Sequence, residues 1–190
     1  PHGKHNLLQP VLEQIGSTQR CRPWSPRHNL QPQCRVSDTL DSALIVESNG
    51  SIGCHGGWEL VCDTVRPGET YEFRVSAEMH SIPRPLENVS PEIYFYGTKS
   101  NPVDWQFTDV VRQEGDVCDF RKLVTVPEGA DRAVIRLILR WTPHGSVAFS
   151  NLSLQHSTPE PSKKFKVAVG AGFKQQDTVE KNLTACLEVI

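Results

Sequence analysis

The sequence predicts an all-β fold, an antiparallel jelly-roll-like β-sandwich, followed by a truncated β-α unit of an α/β domain. Three observations carry that expectation. From Tyr71 to Met79 the apolar Tyr71, Phe73, Val75, Ala77 and Met79 alternate with Glu72, Arg74, Ser76 and Glu78, the period-two pattern of a strand with one buried face. Further segments of this kind recur with turn signals between them, and strands with one wet face need a second sheet against the dry one. Beyond a polar stretch rich in Pro and Ser, the pattern changes to a single apolar strand and then to helical spacing.

Residues 1–20 read as a leader: Leu7, Leu8, Val11, Leu12 and Ile15 place one apolar stripe on a short helix, ended by Gly16 and belonging to something upstream. Cys21 to Gln33, dense in proline (Pro23, Pro26, Pro32) and arginine, reads as an extended arm laid over a surface and held by Trp24. Leu40 to Glu47 is a strand ended by the Asn49-Gly50 turn, and Gly53 to Gly57 a flexible loop. Trp58 to Met79 then reads as a β-hairpin closed by Pro67-Gly68, because Pro presets one turn position and Gly tolerates the positive φ of the next.

Pro83, Pro85 and Pro91 mark a long connection. In the strand Glu92 to Gly97, Ile93 and Phe95 share one face, and Tyr94 and Tyr96 the other. A polar loop holding Trp105 leads to the strand Phe120 to Val126 and the turn Pro127-Glu128-Gly129. From Ala133 to Trp141 the phase of Ala133, Ile135, Leu137, Leu139 and Trp141 is inward, and that of Arg136, Ile138 and Arg140 outward. In Ser146 to Leu154 the apolar phase switches between Phe149 and Leu152, so a bulge is expected near Ser150-Asn151. Residues 21–156 therefore form the sandwich and 157–164 a linker. Residues 165–190 hold the strand Phe165 to Val169 and a helix with Val179, Leu183, Cys186, Leu187 and Ile190 on one side.

At 190 residues and a formal net charge of -2, the chain buries one good core and lacks the basic excess of a nucleic-acid binder. The richest apolar run, Val134 to Trp141, is broken by Arg136 and Arg140 and does not reach the length of a membrane span. Both ends read as cut, so localisation is not legible. The six cysteines form no C-x-x-C pair, which leaves metal binding without support. Disulfides Cys21–Cys34 or Cys54–Cys62 are open alternatives to free, partly buried thiols, and the free thiols are the favoured reading. No Ser-His-Asp or Cys-His constellation can be assembled, so these residues are expected not to be a catalyst.

Trp58 to Met79, Phe120 to Ala130 and Val147 to Leu154 resemble the carbohydrate-binding-module sandwiches of the galactose-binding-like type. The shared marks are a Pro-Gly turn before a Tyr-initiated strand, a Pro-Glu-Gly-Ala turn before another, and the closing strand. The resemblance implies an accessory module with a carbohydrate ligand. In that family an acidic pair in the closing strand helps to hold a structural calcium; here Ser150-Asn151 stand there, a weaker donor set for a hard cation, and no cofactor is expected. Lys164 to Val169, Thr178 to Leu183 and Cys186 to Ile190 resemble the first strand and helix of carbon-nitrogen hydrolases, the nitrilase and amidase superfamily. That resemblance implies a downstream hydrolase domain in cis whose Glu, Lys and Cys lie beyond these residues, with Cys186 a packing residue.

Once the core phases are assigned, Arg74, Tyr94, Tyr96, Arg136 and Arg140 are left pointing out, and they are the candidate ligand-binding residues. Rings stack on pyranose faces and guanidinium forks bond hydroxyls. The same residues also fit a salt-bridged outer face with Glu72 and Glu78 as partners. A third fit is a docking face, aided by Trp24 and Trp105, against the hydrolase domain or another subunit. Trp58 and Trp141 are assigned to packing, and His55 and His144 to solvent. The sequence thus points to a non-catalytic, carbohydrate-binding-like accessory module, with a structural or docking domain as the alternative.

Overall fold

A computed structural model describes residues 5–13, 15, 20–38, 43–98 and 101–159. Eleven strands are present among them: β1 (Cys21–Trp24), β2 (Gln33–Val36), β3 (Leu44–Glu47), β4 (His55–Cys62), β5 (Thr70–His80), β6 (Val89–Tyr96), β7 (Pro102–Phe107), β8 (Asp109–Glu114), β9 (Val117–Thr125), β10 (Arg132–Arg140) and β11 (Ser146–His156). Two single-turn helices, α1 (Gln9–Leu12) and α2 (Pro85–Asn88), accompany them. The strands form a five-stranded sheet, β1-β4-β10-β6-β7, and a six-stranded sheet, β2-β3-β11-β5-β9-β8, and every pairing is antiparallel. Phe73 and Phe149 of the six-stranded sheet and Leu60, Ile93, Phe95, Ile135, Leu137 and Leu139 of the five-stranded sheet are fully buried between them. The inward phases expected for β5, β6 and β10 are those observed.

Trp58 to Met79 is not a hairpin. β4 and β5 belong to different sheets, and residues 63–69 cross from one to the other. Pro67-Gly68 does turn the chain, with the Glu69 N–H donating to the Arg66 carbonyl at 3.2 Å and Gly68 at φ 76°. The bonds beside that turn run to the end of β9 instead: Gly68 N–H to the Val126 carbonyl and Val126 N–H to the Glu69 carbonyl, both 2.9 Å.

Other expectations are also corrected. His55, Gly56 and Gly57 open β4 rather than forming a loop, and Trp105 lies in strand β7 rather than in a loop. Trp141, expected in core phase, is 57% exposed; β10 ends at Arg140, and a positive φ of 56° at Trp141 turns the ring outward. The described part of the leader, residues 5–13 and 15, packs on the sandwich itself, with Leu8 and Val11 in the core. Asn6 fastens it there: its Nδ2 donates to the Leu152 carbonyl at 3.0 Å and its Oδ1 accepts from the Leu154 N–H at 3.0 Å. This contact falls where β11 shifts register between Ser150 and Ser153, the bulge the sequence placed at Ser150-Asn151.

Two polar contacts cross the apolar interior. Trp58 Nε1 donates to the Ile45 carbonyl at 3.1 Å, and Cys34 Sγ to the Gly57 carbonyl at 3.4 Å. Cys21, Cys34, Cys54, Cys62 and Cys118 are free thiols. The strand and helix expected in residues 165–190 lie outside the described residues.

Candidate functional site

The outer face of the five-stranded sheet is built around β10. Register sets Arg136 opposite Glu59 of β4 and Glu92 of β6, Glu59 opposite Arg22 of β1, and Glu92 opposite Phe107 of β7. One row therefore runs Arg, Glu, Arg, Glu and then a ring across the whole sheet, each charge beside its opposite as cross-strand pairing favours. The next row is Val61, Val134, Tyr94 and Trp105, and beyond it Arg132 faces Tyr96. On the other side of the charged row, Trp24, Gly57, Ile138 and Ser90 lie abreast, followed by His55 and Arg140.

Both carboxylates are buried, Glu59 at 4% exposure and Glu92 at 3%, as are Val134 and Ile138 of the same face, whereas its edge is wet at Trp105 and Phe107. A buried carboxylate is costly unless its oxygens are met by charged or hydroxyl donors, and here they are. Glu59 accepts from Arg22 Nη2 at 2.8 Å on one oxygen and from Arg136 Nε at 3.0 Å on the other. Glu92 accepts from Ser90 Oγ at 2.9 Å, from Arg140 Nη1 at 3.3 Å, and from the Tyr94 hydroxyl.

Arg136 is also stacked. Its guanidinium carbon lies 4.0 Å from the Trp24 ring centroid and 4.4 Å from that of Tyr94, so a cation already covers one face of each ring. Burial, reinforced by the bond to Glu92, raises the Tyr94 hydroxyl pKa to about 12. Arg140 stacks 4.5 Å from the Trp141 centroid. His55 sits edge-on to both Trp24 and Trp141, and burial followed by the nearby Arg140 charge holds its imidazole below the ordinary range.

What remains open is a groove of ≈ 530 Å³ beside this clamp, within the range of ligand clefts. Val61 and Val134 form its floor, Tyr96 contributes a ring, and Arg20, Arg22 and Arg132 rim it. Further rings stand free at the margins of the sheet: Trp105 is 55% exposed and Phe107 53%.

Of the residues expected to form one surface, Tyr94, Tyr96, Arg136 and Arg140 do lie together. Arg74 does not. It belongs to β5 in the other sheet, where its Nε donates to Glu72 at 2.7 Å, because alternation tells inside from outside but not which sheet a strand joins. Nor are Glu72 and Glu78 the partners of Arg136 and Arg140; Glu59 and Glu92 are. Those two glutamates, Arg22 and Arg132 were missed, although a lone Glu within an apolar run, as in Trp58-Glu59-Leu60-Val61, is a legible sign of a buried carboxylate seeking cations.

No family model and no curated protein matches the chain by sequence. Its fold does match solved structures. The enzymatically active domain of tailspike protein 4 from bacteriophage CBA120 aligns with TM-score 0.56 and 14% identity over 80% of this chain and 21% of its own. The CBM22-1 and GH10 modules of a Clostridium thermocellum endo-1,4-β-D-xylanase, solved with xylohexaose, align with TM-score 0.52 and 8% identity over 77% and 28%. The CBM22-2 xylan-binding domain of Paenibacillus barcinonensis gives TM-score 0.51 and 10% identity over 75% and 94%. The chain has the β-sandwich fold of carbohydrate-binding modules. It spans only a small part of the tailspike and xylanase chains but nearly all of the xylan-binding domain. These likenesses do not bear on the hydrolase resemblance of residues 164–190.

Proposed function

We propose that the sandwich is a non-catalytic accessory module that binds a glycan on the outer face of its five-stranded sheet. The observation that supports this reading is the pair of buried carboxylates, Glu59 and Glu92, on an outward sheet face. They hold arginines and rings in fixed positions beside an open groove. Preorganised polar groups next to exposed rings suit a flat, hydroxyl-rich ligand, since little ordering remains to be done on binding. The fold shared with carbohydrate-binding modules agrees with it. The clamp residues Tyr94, Arg136 and Arg140 act as its frame, while Tyr96, Arg22, Arg132 and Trp105 meet the ligand. The parent protein, on this reading, is a carbon-nitrogen hydrolase, as the resemblance of residues 164–190 implies.

Glycan-array screening followed by calorimetry tests the proposal. Retention of at least one glycan is expected, weakened about tenfold by Tyr96→Ala, the loss of roughly one stacked ring, at an unchanged melting temperature. Failure to retain any glycan would count against it. A docking role is the second reading, favoured by the exposed Val103, Trp105 and Phe107 along the edge strand β7. It predicts hydrogen-exchange protection of β7 in the full-length protein and none in the isolated sandwich.

A further inference from the structure

Charge in the groove is not balanced. Four arginines, Arg20, Arg22, Arg132 and Arg136, line it against two carboxylates, Glu59 and Asp63. Glu59 is shared by Arg22 and Arg136, and Asp63 bonds Arg20 at 2.7 Å. Arg132 has no carboxylate partner among the described residues; its guanidinium carbon lies 5.5 Å from the centroid of Tyr96. The chain as a whole carries a formal charge of -2, so this local surplus is not a reflection of a basic protein. It also lies over an apolar floor, Val61 and Val134, flanked by the Tyr96 ring. A flat ring with one C–H-rich face and an anionic substituent at its edge satisfies floor, ring and cation together.

We propose that the groove between β1, β4, β10 and β6 takes an anionic saccharide, with its carboxylate or sulfate group bound by Arg132. The inference rests on the glycan-binding reading and narrows it to acidic sugars. A neutral saccharide leaves the Arg132 guanidinium without a counter-charge, whereas an acidic one gains a charge-assisted contact that the planar fork can make through two N–H groups. Tyr96 fixes where that contact forms, since it faces Arg132 directly across the β6–β10 pair.

The test is calorimetric titration of the full chain with galacturonate oligomers, sulfated galactan oligomers and neutral xylo-oligomers, at low and high sodium chloride. One or both acidic ligands are expected to bind roughly tenfold or more tightly than the neutral one, the value of one charge-assisted contact, and to weaken as salt rises. Arg132→Gln should bring acidic and neutral ligands to the same affinity, and Arg132→Lys should keep a good part of the preference; melting temperatures report that both variants fold. The two acidic arms separate carboxylate from sulfate. Neutral oligomers binding as tightly as acidic ones would overturn this inference and leave the glycan reading standing. Acidic ligands that bind Arg132→Gln undiminished, or no more tightly than an oligothymidylate control, would overturn it as non-specific polyanion attraction. Absence of binding in all three glycan arms would overturn this inference, and only a blank glycan array beside it would remove the underlying reading as well.

Discussion

Glu59 and Arg136 face each other across β4 and β10 at 3.0 Å, with side chains only 5% and 14% exposed. A pair so little exposed is sensitive to the loss of one partner, because the remaining charge is left largely desolvated without its counter-charge. Glu59→Gln is therefore expected to lower unfolding stability by about 3 kcal/mol, read from the urea midpoint. Replacing Glu59 and Arg136 together by apolar residues of similar volume should recover much of that loss. A single-variant loss below about 1 kcal/mol would mean that the pair behaves as an exposed one.

The N-terminal segment is expected to be part of the cooperative unit. Leu8 is fully buried, and Leu8→Ala should cost about 2–5 kcal/mol. Asn6→Ala strips the Leu154 N–H and the Leu152 carbonyl of their partner at the bulge and should cost about 1–3 kcal/mol. Thermal unfolding checks both, and a melting temperature unmoved by either would return the leader to the role of an appendage.

At Gly57, an added Cβ would lie 1.8 Å from the Leu137 carbonyl oxygen, a backbone atom of the neighbouring strand. No rotamer change can relieve that. Gly57→Ala should separate β4 from β10 and destabilise by more than about 3 kcal/mol, seen as poor soluble yield or a lowered urea midpoint, whereas Gly115→Ala, with nothing within 4 Å and only the left-handed φ of 56° to oppose it, should cost about 1 kcal/mol.

Alkaline pH should loosen the fold. Burial, then hydrogen bonding to Glu92, raises Tyr94 to about 12; burial, then hydrogen bonding to Glu69, raises Tyr71 to about 12. Burial, then repulsion by neighbouring thiolates, raises Cys34 from 9.0 to about 12. All three groups stay neutral in the folded chain and ionise earlier in the unfolded one. The stability they contribute is whole below about pH 9 and is lost as pH rises towards about 12. Urea midpoints measured along that range should fall continuously, and the tyrosinate absorbance of the folded protein should still be rising where that of the urea-unfolded protein is complete.

Much of the architecture was legible because period-two alternation reports burial directly. It located β5, β6 and β10 and the phase switch in β11 that marks the bulge. It could not assign strands to sheets, and so Arg74 was grouped with residues of the opposite sheet. The Pro67-Gly68 turn was read correctly as a turn and wrongly as a hairpin, since the residues that close it, at the end of β9, are distant in sequence. β7 escaped because Trp105 and Phe107, on an edge strand's outer face, have no buried phase to reveal them. The clamp is half visible in the sequence: alternation turns its rings and arginines outward, while the burial of Glu59 and Glu92 depends on cross-strand neighbours that alternation does not report.

The indole of Trp58 and the thiol of Cys34 each reach across the interior to a backbone carbonyl of the facing sheet. An apolar interface resists separation well but sliding poorly, because dispersion and solvent exclusion are nearly indifferent to a lateral step. A directional bond is not indifferent: shifting one sheet over the other breaks it and strands a polar atom in a dry space. These two contacts act as pins against shear, and they join β4, whose Glu59 anchors the clamp, to the β2–β3 margin of the opposite sheet. A lateral load on the outer face of the five-stranded sheet would thus pass into both layers of the sandwich rather than peeling one from the other.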